Sequence, residues 1–219
     1  MKLSKQTVEI LKNFSTINSN IVIKPGNKIS TVSSTKDILA EFESEDTFDK
    51  EVSIFNLNEL LGAYDTFKEP EILLDDKFLT IKQGKQQIVY VYHDKKLLVS
   101  PTKDLTMPPT QIKLSLSNDL LSRIRKISSI FSVEDMAIVG DGKTISVKVF
   151  DKKNPTSNVF NVDLDIKTKD TFNINFKIEK LRLFASNYDV EITSRISKWT
   201  SDSIKLVVFV AVESDSTFK

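Results

Sequence analysis

The chain has no cysteine and only one histidine, His93, among its 219 residues. Without cysteine, disulfide bonds and thiolate metal ligands are excluded, and a reducing compartment is compatible. Most forms of nucleophilic catalysis place a histidine or cysteine beside the nucleophile. His93 stands next to Asp94 at the end of an apparent strand, where a surface histidine is the favoured interpretation. We therefore expect no catalytic residue.

Glycine is also scarce, with five residues in the whole chain. Loops that cradle phosphate groups need glycine where the backbone approaches the ligand, and none of the five stands in a Walker or dinucleotide-binding pattern. No spacing typical of metal ligands occurs either, and the pair Asp75-Asp76 is explained by a turn. The sequence therefore favours a protein that binds others over an enzyme, and it predicts neither a metal nor a cofactor.

Long apolar runs are absent, because no stretch approaches the roughly 20 residues that cross a bilayer. The start, MKLSKQ, lacks the apolar centre of a signal peptide. These two features predict a soluble intracellular protein.

Charge is balanced, with 31 basic and 30 acidic residues. Its distribution is uneven, since residues 1–14, 117–131 and 176–186 each hold three basic side chains against one acidic. These segments together carry +6, so the rest of the chain carries −5 within the total of +1. Basic helices and an acidic remainder can present opposite charges on opposite faces.

One segment is repeated at an offset of 113 residues, where LSKQTVEILKNFSTI at 3–17 matches LSNDLLSRIRKISSIF at 116–131. In each copy a serine, Ser4 or Ser117, precedes the first turn and predicts an N-cap. Apolar residues then recur every three or four positions, which predicts an amphipathic helix with one buried face. The polar face is basic in both copies, and Lys12 and Arg125 are equivalent positions.

The order of elements around these helices is also repeated. Short strands follow each helix, then a second helix near 57–67 or 178–185, then further strands. Residues 100–111 contain Pro101, Pro108 and Pro109, which interrupt the pattern and predict an interdomain linker. We therefore expect an α+β fold with two similar domains, residues 1–99 and 112–219, each with two helices packed on antiparallel sheet.

Several stretches resemble the sliding clamps, the DNA polymerase processivity factors, and above all those of T-even-like bacteriophages. They are Met1-Lys2-Leu3-Ser4-Lys5, Leu11-Lys12-Asn13-Phe14, Thr16-Ile17-Asn18-Ser19, Leu57-Asn58 with Leu61-Gly62, and Glu213 with Asp215-Ser216-Thr217. The resemblance extends over essentially the full length, although through the second domain it is carried more by pattern than by identity.

The resemblance implies a ring-forming DNA clamp fold in a homotrimer, whose helices line a central hole and whose sheets form the outside. It implies double-stranded DNA, the replicative DNA polymerase and a clamp loader ATPase as partners, late transcription factors as further ones, and the host cell cytoplasm as the location. The repeated unit is compatible with such a ring, because head-to-tail assembly pairs every open sheet edge.

Basic side chains that face such a hole meet phosphate groups, which carry no sequence information. A ring held in place by topology can therefore slide. The candidate DNA-facing residues are Lys5, Lys12, Arg123, Arg125, Lys126, Lys177, Lys180 and Arg182.

Two further sites follow from the resemblance. An apolar cleft beside the linker would take a short partner peptide, such as the polymerase C-terminal tail, with Val32, Leu105, Met107, Ala211 and Val212 as candidate walls. Val32 and Val212 fit strand core equally well. The subunit interface would use edge strands at 86–92 and 158–166, with Val89, Val91, Phe160 and Val162 as candidates, although either strand is as readily internal.

Two alternatives to the trimeric clamp stay open at this point. One is a monomeric DNA-binding processivity subunit of related fold, and the other is a phage structural or assembly protein that binds no DNA. Mass in solution separates the ring from the monomer.

Overall fold

The computed structural model describes residues 1–102 and 105–218. Lys103 and Asp104, within the predicted linker, and the last residue, Lys219, lie outside this description. The chain divides into two compact units. Unit 1 comprises 1–105 and 202–208, and unit 2 comprises 106–201 and 209–219. The predicted domain and linker boundaries stay a prediction. No described helix has the length and apolar character needed to cross a membrane.

Unit 1 contains two α-helices and short antiparallel strands. Its elements are α1 (Lys5–Ile17), β1 (Ile21–Ile23), β2 (Gly26–Val32), β3 (Ile38–Phe48), β4 (Val52–Ile54), α2 (Leu57–Asp65), β5 (Glu71–Leu74), β6 (Phe78–Gln83) and β7 (Gln86–Val91). Strand β2 pairs with β3, β1 pairs with β4, and β5, β6 and β7 form a three-stranded sheet in that order.

Helix α1 begins where the sequence predicts, because the Ser4 hydroxyl accepts a hydrogen bond from the Thr7 amide at 3.2 Å. Its apolar face is buried, with Ile10 and Phe14 fully inaccessible. On the same face the Thr7 and Ser44 hydroxyls are 2.7 Å apart. This buried contact places α1 on the inner face of β3.

The described residues of unit 2 contain one α-helix. Its elements are β8 (Ile112–Leu116), α3 (Asn118–Phe131), β9 (Asp135–Asp141), β10 (Thr144–Phe150), β11 (Phe160–Lys167), β12 (Thr171–Lys177), β13 (Tyr188–Ile192), β14 (Ile196–Ser201), β15 (Leu206–Ala211) and β16 (Thr217–Phe218). The first three residues of β15 belong to unit 1. One five-stranded sheet has the order β11, β10, β9, β12, β16.

The core of unit 2 is organised around Trp199, which is fully buried. The rings of Phe176 and Tyr188 meet it edge-on, at centroid distances of 6.0 and 6.3 Å. The indole N–H donates to the Ser197 hydroxyl at 2.8 Å, so burial of this polar group carries little penalty.

The predicted α+β class is confirmed, with α-helices on antiparallel sheet, but the second helix expected in the second half is wrong. Residues Ile178–Lys180 form a single 3-10 turn, without a side-chain cap at Lys177. Leu181 and Leu183 are both buried on either side of exposed Arg182. Burial at every second residue fits extended chain better than helix, which explains the difference.

Candidate nucleic-acid interface

The exposed side of α1 carries the basic residues of unit 1. Lys5 is exposed and has no ion-pair partner among the described residues. Lys12 is half-buried, and its ammonium group lies 3.0 Å from Asp65 and 3.6 Å from Glu9. The hydrogen bond to Asp65 is the main cause that raises the pKa of Lys12. Lys5 therefore presents its charge to solvent, while that of Lys12 is largely balanced within the unit.

A cavity of about 500 Å³ separates α1 from the end of α2 and the segment that follows. Four lysines and three carboxylates line it, together with apolar residues; these charged residues are Lys2, Lys5, Lys12, Lys68, Glu9, Asp65 and Glu69. Lys68 is not predicted from the sequence, because it lies outside the amphipathic helix α1, whose basic face predicts Lys5 and Lys12. The number of basic residues near α2 does not indicate a basic surface, since the negative charges of Asp65 and Glu69 outweigh the positive charge of Lys68.

Helix α3 provides a second basic surface, in unit 2. The Ser117 hydroxyl accepts from the Leu120 amide at 3.2 Å, so the predicted cap is confirmed. At the other end Ser132 has φ 53°, and its amide donates to the Ser128 carbonyl, which ends the helix in the left-handed conformation. Arg123 and Lys126 are exposed, and neither has an ion-pair partner among residues 1–102 and 105–218.

Arg125 differs from its neighbours on α3 because its guanidinium turns back onto the protein. Its Nη2 donates to the carbonyl oxygens of Leu183 at 2.9 Å and Leu181 at 3.4 Å. Burial lowers its pKa. Arg125 therefore fixes the 181–183 segment to α3, and this contact also places the exposed Arg182 beside the helix.

Lys177 and Lys180, the remaining DNA-facing candidates of unit 2, form ion pairs within the unit. Lys177 lies 2.7 Å from Asp135, a buried carboxylate, and 3.5 Å from Glu134. The hydrogen bond to Asp135 is the main cause that raises the pKa of Lys177. Lys180 lies 2.9 Å from Glu213. The DNA-facing role of all eight residues stays a prediction, and four of them, Lys5, Arg123, Lys126 and Arg182, carry uncompensated charge on the described surface.

The strands chosen as subunit edges are edges of their sheets. Among the described strands, β7 pairs only with β6, and β11 pairs only with β10. Val89 and Val91 are 51% and 62% exposed, whereas Phe160 and Val162 are half-buried. An unpaired edge with exposed apolar side chains is a template for association, although the subunit contact itself stays a prediction.

The candidates for the peptide cleft are divided between the units. Val32 and Leu105 belong to unit 1, whereas Met107, Ala211 and Val212 belong to unit 2. Val32 is half-buried on β2, and Leu105 is 41% exposed. The cleft stays a prediction.

The single histidine, His93, belongs to no group of potential metal ligands in the described part of the chain. His93 is exposed, and its ring lies 5.3 Å from that of Phe55. No group of three side chains of the metal-ligating types lies close enough to hold a metal ion among the described residues.

Comparison with known proteins finds similarity to DNA polymerase processivity factors and phage sliding clamps. Residues 2–100 match the model for the DNA polymerase processivity factor. Over 98% of its length the chain is 27% identical to all of the sliding clamp of Vibrio phage KVP40. It is 27% identical to the sliding clamp of Enterobacteria phage T4, with 99% of both chains covered. The chain is thus similar to phage sliding clamps over nearly the whole length of both chains.

Solved clamps share the fold at much lower identity. The A. fulgidus PCNA bound to the C-terminal region of FEN-1 superimposes with a TM-score of 0.71 at 12% identity, covering 99% of this chain and 98% of that one. The Proliferating Cellular Nuclear Antigen of Entamoeba histolytica gives 0.69 at 10% identity, with 97% of each chain covered. The β subunit of Pseudomonas aeruginosa DNA polymerase III gives 0.63 at 11% identity, covering 97% of this chain and 64% of that one.

Proposed function

We propose that the chain is a phage sliding clamp, a non-catalytic ring of three copies that encircles duplex DNA and tethers the replicative DNA polymerase. The observation that carries the proposal is the match to phage sliding clamps over nearly the whole length of both chains. The exposed cations on two capped helices, Lys5 in unit 1 and Arg123 and Lys126 in unit 2, supply the contacts that such a ring needs.

The proposed DNA contacts are electrostatic and independent of sequence. Lysine and arginine that approach phosphate groups release bound counterions, so affinity falls with salt by about 0.9 log units per log unit of salt for each phosphate contacted. Few exposed cations and several internally paired ones favour loose contacts. Enclosure by the ring, more than affinity, would then hold the clamp on DNA while it slides.

Trimerisation would bury surfaces that are apolar in the single chain. Ile130 at the end of α3 is 65% exposed, and Val91 on β7 is 62% exposed. Exposed apolar side chains that lie next to each other are typical of association surfaces, and Val89 and Val91 alternate along the same edge strand. The ring would need a clamp loader ATPase to open it around DNA, and it would act in the host cell cytoplasm, where late transcription factors are further partners.

The partner cleft would take the apolar C-terminal tail of the polymerase. The A. fulgidus PCNA structure contains the C-terminal region of FEN-1, which supports a peptide-binding role for this fold. Replacing Leu105 and Met107 together by serine should weaken binding of the tail without changing the mass of the ring.

Light scattering and primer extension test the proposal. We expect a particle of about three times the chain mass of 24.8 kDa. We also expect longer products when the protein is added to polymerase and clamp loader on a circular primed template. A particle of one chain mass that still lengthens products would support the monomeric alternative. A particle without any effect on product length would support the structural one.

A further inference from the structure

Strand β12 of unit 2 is paired along the whole of one edge and along only part of the other. All seven of its residues, Thr171–Lys177, pair with β9. On its other side, among the described strands, only Phe172 and Asn173 pair, with the two residues of β16. A strand edge with unpaired backbone groups is a template for another strand, and native proteins cover such edges. What covers the rest of β12 therefore decides whether this edge can take a partner.

The cover is the C-terminal segment 213–218, which we call the strap. It follows β15 and runs antiparallel to β12. The Glu213 amide donates a hydrogen bond to the Asn175 carbonyl oxygen at 3.0 Å. The Asn175 amide donates in turn to the Ser216 hydroxyl at 2.9 Å. The strap therefore satisfies both backbone groups of Asn175, one of them through a side chain instead of a regular ladder.

Two side chains of the strap also contact the rest of unit 2. The Asp215 carboxylate lies 2.5 Å from the Lys152 ammonium group. The Phe218 ring stacks on the Phe172 ring, with the centroids 5.9 Å apart and the planes 6° from parallel. The strap thus presents a carboxylate and, three residues later, an aromatic ring. These two groups show which side chains the edge of β12 accepts beside the backbone of a strand.

The contacts that hold the strap are of the kind that open easily. The Lys152 and Asp215 side chains are 38% and 42% exposed, and exposed ion pairs contribute little to stability. Ser214 and Thr217 are exposed as well. A segment with few buried contacts opens at a lower free energy than the core that it covers. Asn175 is buried, so opening of the strap would uncover its backbone amide and carbonyl.

We propose that the edge of β12 is a docking site for an extended segment of a partner protein, and that the strap competes with this segment for the edge. The partner segment carries a carboxylate that reaches Lys152 and, three residues later, an aromatic ring that stacks on Phe172. Backbone pairing with β12 supplies affinity, and the two side chains supply specificity. The site is available only in the fraction of molecules whose strap is open. It lies within unit 2 and requires neither a ring nor DNA.

A partner segment is a more favourable occupant than a second copy of this chain. Each copy carries one strap and one β12 edge, so two copies that exchange straps form the same contacts that each forms alone. A longer segment can pair along all of β12, from Thr171 to Lys177. It would thereby gain backbone hydrogen bonds that the two residues of β16 do not make.

Calorimetry on the full-length protein tests the site with a defined probe. The probe is a synthetic N-acetylated peptide with the sequence of residues 212–219, VESDSTFK. A strap-weakened variant combines Asp215→Ala, Ser216→Ala and Phe218→Ala and leaves the edge of β12 unchanged. We expect this variant to bind the peptide at least about tenfold more tightly than the unsubstituted protein does, because the strap masks the site in a smaller fraction of molecules.

Hydrogen exchange shows whether the strap has opened. In the strap-weakened variant the Asn175 amide should exchange at least about tenfold faster, whereas that of Ile138, buried on the central strand β9, should stay protected. Ser214→Ala with Thr217→Ala is the matched control, because it changes exposed side chains of the same strap. In this control the exchange of both amides and the affinity for the peptide should equal those of the unsubstituted protein.

Substitutions at the edge test which side chains of the peptide are recognised. Lys152→Gln, added to the strap-weakened variant, should weaken binding of the peptide about three- to tenfold. Lys153→Gln, added to the same variant, should leave the affinity unchanged, since Lys153 is exposed and has no ion-pair partner among residues 1–102 and 105–218. A peptide with alanine in place of its phenylalanine should bind more weakly, because it lacks the ring that stacks on Phe172.

Several results would overturn the inference. Unchanged exchange at Asn175 in the strap-weakened variant overturns the competing strap. Faster exchange at Asn175 without binding of the peptide overturns the docking site. Equal effects of Lys152→Gln and Lys153→Gln overturn recognition of the carboxylate. A larger particle mass of the strap-weakened variant in light scattering overturns the partner segment in favour of a second copy of this chain. A failure of the proposed function would leave the exchange and peptide measurements unaffected.

Discussion

Arg125 donates a hydrogen bond of 2.9 Å to the carbonyl oxygen of Leu183, across 58 residues of chain. The same nitrogen also reaches the Leu181 carbonyl. These bonds hold an irregular segment against α3 at the place where a second helix was expected. Arg125, whose position in the sequence predicts a contact with DNA, therefore also holds two segments of unit 2 together.

These hydrogen bonds predict that Arg125 contributes to the free energy of unfolding and that Arg123 does not. Arg125→Ala should destabilise the protein by about 1–3 kcal/mol, because it leaves buried carbonyl groups without a charged donor. Arg123→Ala should change the free energy of unfolding by less than about 0.5 kcal/mol, since Arg123 is exposed and has no ion-pair partner among the described residues. Denaturant unfolding measures both, and equal stability of the two variants would contradict the structural role of Arg125.

Asp65 should restrain the contribution of Lys12 to DNA binding, because the two groups are 3.0 Å apart. Asp65→Asn removes the balancing charge, so we expect tighter binding of a linear duplex and a steeper dependence on salt. Fluorescence anisotropy at several salt concentrations measures both quantities. Glu71→Gln, which removes an exposed carboxylate on β5 instead, is the matched control and should have a smaller effect.

Gly140 is required by the packing of Phe172 in unit 2. A Cβ atom at position 140 would lie 2.4 Å from the Phe172 ring, closer than side chains approach one another. Gly140→Ala should therefore destabilise the protein by about 1–3 kcal/mol. Combining it with Phe172→Leu should recover part of the loss, and a Gly140→Ala protein of unchanged stability would show that the ring moves aside freely.

Gly62 in α2 has free space where Gly140 has a steric contact. A Cβ atom added at Gly62 would have no neighbouring side chain within 4 Å. Alanine is a better helix former than glycine, so Gly62→Ala should stabilise the protein by about 0.4–1 kcal/mol. The two glycine variants, measured by the same denaturant unfolding experiment, separate steric contact from backbone entropy.

Asp215 should titrate below its ordinary pKa, because Lys152 bonds to its carboxylate at 2.5 Å. A depressed pKa means that the folded state favours the charged form. The stabilisation is therefore complete above the ordinary value of 3.8 and is lost as the pH falls through the lower folded value. Carbon-detected NMR titration should show the pKa of Asp215 rising toward 3.8 in Lys152→Ala. Equal pKa values in both proteins would show that the pair does not persist in solution.

The capped helices were predictable from sequence, whereas the pairing of the cations was not. Ser4 and Ser117 precede regular apolar spacing, so local signals fix α1 and α3 before any tertiary contact forms. Lys12 meets Asp65 only after α1 and α2 pack together, and no local pattern records that contact. Arg125 binds backbone carbonyl groups, which every residue has, so its partner leaves no trace in the sequence.

The edge strand β7 gives the sharpest test of assembly. Leu73 on β5 and Val89 on β7 flank Thr80 on one face of the three-stranded sheet, and both are about half exposed. If β7 is the subunit edge, Val89→Asp with Val91→Asp should reduce the particle from three chain masses to one, because charges would be buried without partners. Leu73→Asp, on the opposite edge of the same sheet, should leave the trimer intact. Loss of the trimer in Leu73→Asp alone would place the interface at β5.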